Sequence, residues 1–263
     1  MRSIWSGALT FGLITIPVKL YSASEERALS FHLLDKHGNC PISYLKVCRT
    51  TRKEVKMRDI VKGYEYRKGD YVILTDEDFQ KAAPKKTKTI DVQSFTDEAE
   101  VASRFIEKPY FLEPDVGAEK AYVLLREALA RAKKVGIASF VLHNKEHLGM
   151  IKPEGRALML IELRFADELR EPTDLRIPSA AKHSTKELDL TIAFIKQLEE
   201  HFDASQYHDT YAESLKKVIS EKARGKPVHI EEEAAPVPTD MRDLMEALRK
   251  SLEQEQRRPA RAR

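Results

Sequence analysis

The stretch IWSGALTFGLITIPVKLY, residues 4–21, most constrains the fold of this 263-residue chain. Its apolar residues alternate with polar or small ones in two phases displaced by one residue: Leu9, Phe11 and Leu13, then Ile14, Ile16, Val18 and Leu20. Because strand side chains point to opposite faces with a period of two, the displacement requires a bulge or a bend. Gly12 lies where the phase changes, and glycine within a strand commonly marks such a feature. We therefore expect one long, bent strand of a curled sheet, with two short, unrelated strands as the alternative.

Composition limits the class of protein. Hydrophobic residues make up 42% of the chain, enough for a core, and 45 basic against 42 acidic residues give a net charge of only +3. The sequence lacks an apolar run long enough for a membrane helix and lacks the pattern of a signal peptide, so we expect a cytosolic protein. Cys40 and Cys48 cannot form a disulfide framework, and we expect thiols packed as small hydrophobic side chains.

Charge is distributed unevenly along the chain. Basic residues form three clusters: Lys46, Arg49, Arg52, Lys53, Lys56 and Arg58; Lys85, Lys86 and Lys88; and Arg131, Lys133 and Lys134. Acidic residues concentrate at 97–100 and 231–233. Such segregation is typical of a protein with one positively charged surface, and the alternative is that each cluster is an ordinary solvated face.

The pattern of the chain changes from strands to helices. We predict strands at PISYLKVCRT, GDYVILT and IDVQSF, and central strands, apolar on both faces, at IASFVLH (137–143) and ALMLIELRF (157–165). A helix is predicted at 118–134. From Ser184 the capping box STKE begins a helix, and a second helix with a stripe from Tyr207 to Ile219 ends near Gly225.

The last part of the chain is predicted to be a linker followed by a helix. Residues 227–240 are rich in proline, alanine and acids, which is typical of a semi-extended linker. Asp240 can cap a helix whose apolar stripe includes Leu244, Leu248 and Leu252. Because a helix this short is marginal alone in water, we expect it to dock on a partner, with the protein's own core as the alternative.

One motif suggests catalysis. HNKEH places His143, Glu146 and His147 in the H-x-x-E-H pattern of a class of zinc peptidases, in which a helix presents both imidazoles to the metal. Here the motif follows a β-rich run and is closed by Gly149 and Pro153, so a helix is not expected. Motifs for phosphate loops, dinucleotide binding and nucleophile elbows are missing, as is a second thiol near Cys48. The sequence favours a binding protein without metal or cofactor, and a zinc hydrolase is the enzyme alternative.

A set of motifs then indicates a family. In order along residues 2–226 they are IWSGALTFGLITIPVKLYSASEE, FHLLDK, DIVKGYEY, YVILTDEDF, PYFLEPD, AYVLLREAL, LRFADELR and YHDTYAESLKKVISEKARGK. Together they resemble the bacterial Ku family of DNA-end-binding proteins, and DMRDLMEALRKSLE resembles the short C-terminal segment of that family. Many members carry a second cysteine three residues after the position of Cys48, where this chain has Thr51.

The resemblance implies an α+β fold: a β-barrel core with inserted helices and a C-terminal helical arm, assembled as a ring-shaped homodimer around duplex DNA. It implies a core at 1–183 containing a bridge over DNA at about 31–64, an arm for dimerisation at 184–226, a linker at 227–240, and a helix with a basic tail at 241–263.

The resemblance also implies a function. We expect a non-enzymatic protein that binds double-stranded DNA ends in non-homologous end joining, recruits the ATP-dependent DNA ligase of that pathway, and is cytoplasmic and nucleoid-associated, without a membrane partner. A protein that accepts any broken end must contact phosphates rather than bases. The expected DNA-binding residues are Lys36, Lys46, Arg49, Arg52, Lys53, Lys85, Lys86 and Lys88, and the expected ligase-recruiting residues are Leu244, Leu248 and Leu252. A protein-only adaptor is the third interpretation.

Overall fold

The computed structural model describes residues 1–25, 27, 29–82, 88–179 and 184–225. It divides the chain into two compact units, Met1–Thr173 and Asp174–Arg263. No helix among these described residues is long and apolar enough to cross a membrane. The strands of the described residues are β1 (Trp5–Phe11), β2 (Ile14–Ser22), β3 (Lys62–Arg67), β4 (Asp70–Leu74), β5 (Thr89–Thr96), β6 (Ile106–Pro114), β7 (Val135–Leu142), β8 (Lys145–Glu154) and β9 (Ala157–Leu163). The helices are α1 (Asp76–Ala82), α2 (Glu119–Ala132), α3 (Thr185–Gln197) and α4 (Thr210–Ala223).

Seven of these strands close into a barrel in the first unit. Their order is β1-β2-β6-β9-β8-β7-β5, and β5 closes the barrel by pairing in parallel with β1. The other neighbours in the barrel are antiparallel. Closure removes the open edges that a sheet of this size otherwise presents. The expected α+β fold with a β-barrel core is therefore confirmed.

The opening stretch is a β-hairpin, so the prediction of one long, bent strand is wrong. β1 and β2 pair from Trp5 opposite Leu20 to Phe11 opposite Ile14. Gly12, with a φ of 57°, and the fully exposed Leu13 form the turn between them. A two-residue turn pairs odd-numbered positions of β1 with even-numbered positions of β2, so both strands keep the same face inward. The change of phase therefore marks a reversal of the chain.

Apolar side chains at alternate positions of each strand fill the barrel. The buried set includes Leu9, Ile16, Val18, Leu20, Ile90, Leu112, Ala138, Phe140, Ile151, Leu158 and Leu160. α2 follows the end of β6 and precedes the start of β7, and its Tyr122, Leu125 and Leu129 join this core. The Tyr122 hydroxyl donates to the Leu112 carbonyl and accepts the Leu158 N–H, both at 2.6 Å. α2 therefore covers the barrel end at which β6 finishes.

The two predicted central strands are confirmed. A second apolar cluster, formed by Val135, Met150, Ile161 and Leu163, packs with Val101 and Phe105 from the segment between β5 and β6. β7 and β9 therefore contribute buried residues to two clusters, which explains their continuous apolar sequences. The predicted helix at 118–134 is also confirmed as α2.

Residues 23–88 leave the barrel after β2 and return to it at β5. This segment contains the β3–β4 hairpin and α1. GDYVILT forms β4 as predicted, whereas PISYLKVCRT has only isolated bridges at Pro41 and Val47, so its prediction as a strand is wrong. Backbone pairing around PISYLKVCRT is limited to tight turns. Every residue of β3 is exposed.

In the second unit the predicted start of α3 is confirmed. The Glu187 N–H donates to the Ser184 hydroxyl at 3.3 Å, and the Ser184 N–H donates to the Glu187 carboxylate at 2.5 Å, which together form the capping box. α4 begins after Asp209, whose carboxylate accepts the Ala212 N–H at 3.0 Å. The predicted linker at 227–240 and the helix with Leu244, Leu248 and Leu252 lie outside the described residues.

One charged side chain is buried inside the barrel, at the end opposite α2. Glu162 is 8% exposed and is the only buried polar or charged residue of the described part of the chain. Its carboxylate accepts the Tyr110 hydroxyl at 2.9 Å and lies 2.6 Å from Nδ1 of His147. Burial and the neighbouring carboxylate raise the pKa of the Tyr110 hydroxyl, so tyrosine remains a neutral donor. These bonds tie β6, β8 and β9 together.

Loss of the tyrosine hydroxyl is expected to weaken the barrel. Tyr110→Phe leaves one buried carboxylate oxygen of Glu162 without its partner and should lower the free energy of unfolding by about 1–3 kcal/mol. Tyr64→Phe, the same change at a side chain that is 65% exposed, should alter it by less than about 0.5 kcal/mol. Urea unfolding of both variants measures the difference, and equal stabilities would contradict a structural role for the Glu162 contacts.

Candidate nucleic-acid interface

Arg49, Arg52 and Lys53 lie together on one tight turn. The Cys48 N–H donates to the Lys53 carbonyl and the Arg52 N–H donates to the Cys48 carbonyl, each at 2.9 Å. Arg52 has a φ of 55°, the left-handed conformation that lets the chain reverse here. All three cationic side chains are exposed, and none forms an ion pair with another described residue. The turn therefore presents three uncompensated positive charges.

Lys46 and Lys36 occupy other parts of the same segment. The Lys46 carbonyl accepts the Val55 N–H at 2.8 Å, and its amine lies 3.0 Å from the sulfur of Met57. Lys36 lies on a second turn, in which the Asp35 carboxylate accepts the Gly38 N–H at 2.7 Å. Both lysines are exposed. The five predicted residues before position 54 therefore all lie on the surface, but only three share one turn.

The second predicted cluster is described in part. Lys85 and Lys86 lie outside the described residues. Lys88 is exposed immediately before β5, and its carbonyl accepts the Ala8 N–H at 3.0 Å. Lys88 therefore lies at the point where residues 23–88 return to the barrel.

The third basic cluster is largely paired with acidic side chains. Lys134 lies 2.8 Å from the Asp97 carboxylate, and Arg131 lies 3.7 Å from that of Glu127. An ion pair at the surface compensates the charge of each partner. This cluster is therefore a weaker candidate for binding phosphate than the unpaired turn at 48–53.

The cysteines are not packed as small hydrophobic side chains, so that expectation is wrong. Cys40 is exposed and Cys48 is half-buried, and both are free thiols. The Thr51 hydroxyl and the Thr51 and Thr50 backbone N–H groups donate to the Cys48 sulfur and lower its pKa. No group of three or more potential metal ligands occurs in the part of the chain that the structure describes.

The HNKEH motif lies on a hairpin rather than a helix. His143 and Asn144, with φ of 51° and 65°, form the turn between β7 and β8. Glu146 and His147 are neighbours on β8 and therefore point to opposite faces. His147 faces Glu162 instead, and stacks on Phe140 with ring centroids 5.3 Å apart. This arrangement differs from the helix-borne histidine pair that zinc hydrolysis requires.

Many large apolar side chains of residues 31–73 are exposed. They include Phe31, Leu33, Ile42, Tyr44, Leu45, Val47, Met57, Val61, Tyr64, Tyr66, Tyr71 and Ile73. Soluble monomers rarely expose apolar surface on this scale, and large exposed patches mark interaction sites. The same segment therefore combines unpaired cations with a surface suited to a protein partner.

Sequence reasoning missed two cations at the barrel end opposite α2. Lys108 on β6 and Lys145 at the start of β8 are exposed, and the Lys108 amine lies 5.7 Å from the centre of the Tyr110 ring. They are isolated in sequence, so clustering could not find them. The pairing of the strands places them at the same end of the barrel as Lys88, because the starts of β5, β6 and β8 lie at that end.

Comparison with known proteins agrees with this architecture. Residues 10–190 match the family model described as the Ku70/Ku80 beta-barrel domain. The protein from Coxiella burnetii named "Non-homologous end joining protein Ku" is 37% identical over 262 residues, covering 97% of this chain and 96% of the relative. Relatives with the same name from Pseudomonas aeruginosa and Archaeoglobus fulgidus are each 37% identical, over 257 and 254 residues. These matches cover 95% and 96% of this chain, and 88% and 99% of the two relatives.

The family model covers more than half of the chain, and the relatives match it along nearly its whole length. The seven-stranded barrel lies within the matched region or directly before it. This chain belongs to the Ku family.

Proposed function

We propose that this chain binds the ends of double-stranded DNA in non-homologous end joining, without reading sequence and without catalysing a reaction. The observation that carries the proposal is the turn at 48–53, with three exposed cations that have no acidic partner among the described residues. The names of the relatives support the same pathway. Cations on exposed turns bind phosphate oxygens, which are the same in every sequence. Lys36 and Lys46 add charge to the same segment.

The binding form in this proposal is a ring-shaped homodimer. The exposed apolar side chains of residues 31–73 and the isolated β3–β4 hairpin support it, because a two-stranded hairpin is marginal in water without a covering surface. α3 and α4 also expose large apolar side chains, among them Ile195, Tyr211 and Ile219. In the proposed division, residues 31–64 form the bridge over DNA and 184–226 the arm that contacts the second copy. Two identical copies related by a dyad match the approximate two-fold symmetry of a duplex.

Recruitment of the ATP-dependent ligase of the pathway is assigned to the C-terminal segment. Its apolar stripe at Leu244, Leu248 and Leu252 has the spacing of an amphipathic helix that docks in a groove of a partner. In this proposal, residues 1–226 bind DNA and residues 241–263 recruit the ligase.

A ring predicts a preference for ends. Linear duplex is expected to compete well for the protein, whereas a relaxed closed circle of equal length should compete poorly, because a ring threads onto DNA only at an end. A competition assay with both DNAs at equal nucleotide concentration measures this. Equal competition at equilibrium would exclude end binding, and absence of any DNA binding at low salt would favour a protein-only adaptor.

The turn at 48–53 is expected to supply affinity but no sequence preference. Arg49→Glu, Arg52→Glu and Lys53→Glu together should weaken binding to all duplex sequences alike, by roughly 100-fold or more at 0.1 M salt if each residue contacts one phosphate. The matched control reverses Arg131, Lys133 and Lys134, two of which are already paired with acids. A change in sequence preference, or equal losses in both triple variants, would show that the turn at 48–53 does not supply the expected contacts to the DNA backbone.

Deletion of residues 241–263 separates the two roles. The truncated protein should bind DNA ends as the full chain does, but should stimulate the ligase less. A control variant with Leu244, Leu248 and Leu252 changed to alanine in the full chain should lose stimulation to the same extent. Full stimulation by either protein would remove the recruiting role of this segment.

A further inference from the structure

A groove lies on the outer surface of the first unit, where α2 meets strands β2 and β6. Its volume is about 640 Å³, within the range of roughly 300–1,000 Å³ that is typical of ligand pockets. Two of the sequence motifs described at the outset, PYFLEPD and AYVLLREAL, contribute most of its lining. The proposed DNA contacts use neither motif, so the groove has no role in them.

The floor of the groove is aromatic. Tyr21 on β2 and Phe111 on β6 are direct neighbours in the strand register, on the opposite face from the buried Leu20 and Leu112. Val123 of α2 also lines the groove and is 38% exposed. Apolar side chains around a groove of this size accept a large apolar group from a partner. The groove therefore offers a place for one aromatic or aliphatic side chain.

α2 forms one wall of the groove through one face of the helix. Glu119, Tyr122, Val123 and Arg126 all line the groove, and their spacing places them on the same side of α2. Seven residues of helix rise by about 10 Å, so Glu119 and Arg126 lie at opposite ends of this wall. The two hydrogen bonds of the Tyr122 hydroxyl fix the wall to the barrel.

The two ends of the groove carry opposite charges. Glu119 is exposed and forms no ion pair with a described residue. At the other end the Arg126 guanidinium donates to the Arg156 carbonyl at 2.8 Å and lies 3.9 Å from the Glu127 carboxylate. Arg156 is exposed on the turn between β8 and β9 and also has no ion pair within the described part of the chain. An unpaired acid and an unpaired arginine therefore flank the apolar floor.

We propose that this groove binds an extended segment of a partner protein that carries a basic, a large apolar and an acidic residue at alternate positions. Alternate side chains of an extended chain point to the same face, and its first and fifth residues are about 13 Å apart. This spacing places the basic side chain beside Glu119, the apolar one on Tyr21 and Phe111, and the acidic one beside Arg156. Burial of the apolar side chain supplies affinity, and the two charges set the orientation.

The charges of the groove favour a peptide over a nucleic acid. Glu113 and Glu119 both line it and repel phosphate, and the Glu113 carboxylate is already engaged by the Tyr21 hydroxyl at 2.5 Å. Exposed residues at both ends leave room for a chain that continues beyond the groove. The inference goes beyond the proposed function and does not depend on DNA binding.

Selection from a displayed library of random seven-residue peptides on the immobilised full chain tests the groove. The expected enrichment is a basic, an apolar and an acidic residue at alternate positions. Val123→Arg fills the groove with a long side chain and keeps a good helix former, so it should abolish this enrichment. Urea unfolding of the variant, expected to remain cooperative, confirms that it is folded. Enrichment of the same peptides on wild type and Val123→Arg, or of peptides without the charge pattern, would overturn the proposal.

Exchange of the two charges tests the orientation of the bound segment. Fluorescence anisotropy with one selected peptide is expected to show roughly tenfold weaker binding to Glu119→Lys with Arg156→Glu, because each end then faces a like charge. A second peptide with its basic and acidic residues exchanged should restore the affinity for this charge-swapped variant. The control, Glu98→Lys with Lys152→Glu, reverses an ion pair outside the groove and should bind the first peptide as wild type does.

Recovery by the exchanged peptide also shows that the charge-swapped variant is folded. If the exchanged peptide binds no better than the first, or if the control variant loses as much affinity as the charge-swapped one, the groove does not recognise its partner by these charges and the proposal is overturned. Competition between linear and circular duplex measures DNA-end binding separately, so failure of the groove and failure of end binding are distinguishable.

Discussion

Closure of the barrel by β1 and β5 is the constraint on which the rest of the first unit depends. Their parallel pairing, from Ala8 opposite Thr89 to Phe11 opposite Val92, joins the start of the chain to the strand that follows residues 23–88. The β2–β6 pairing fixes the departing end of the same segment beside Tyr110. Both ends of residues 23–88, which we call the excursion, are thereby held at one end of the packed barrel. The location of the excursion is a consequence of topology and not of local sequence.

This arrangement divides the first unit into a barrel with a packed core and a segment with many exposed apolar side chains. The barrel buries its apolar rows, and its single buried carboxylate has two partners. Residues 31–73 instead expose tyrosines and aliphatic side chains beside unpaired arginines. Apolar surface favours association with protein, and uncompensated cations favour phosphate. A second copy and a duplex together satisfy both demands, which is the physical basis of the proposed ring.

The sequence predicted the barrel better than the excursion. β7 and β9 were predictable because both faces are buried, and α3 because Ser184 and Glu187 form a capping box. The β1–β2 hairpin was predicted wrongly because a one-residue displacement of the apolar pattern fits both a bent strand and a reversal of the chain. The left-handed φ of Gly12 and the pairing of β1 with β2 show the reversal. PISYLKVCRT has the composition of a strand. Its backbone groups instead form the hydrogen bonds of tight turns, in place of a row of hydrogen bonds to a neighbouring strand.

The candidate site shows the same limit. The cluster at 48–53 was visible because its cations are neighbours in sequence, and one turn presents all three. Lys108 and Lys145 are isolated in sequence, and only the strand pairing places them at the same end of the barrel as Lys88. The compensation of Lys134 by Asp97 was likewise invisible, because an ion pair between distant residues leaves no pattern along the chain. Local patterns therefore identify turns and caps, whereas surfaces assembled from several strands require the fold.

The proposed ring requires that two copies of the chain enclose the duplex. Sedimentation analysis of the full chain without DNA, across nanomolar to micromolar concentration, tests it most directly. A homodimer is expected to sediment as a particle with about twice the 30.1 kDa mass of one chain at every concentration at which DNA ends are bound. A stable particle with the mass of one chain that still binds DNA ends with full affinity would contradict it.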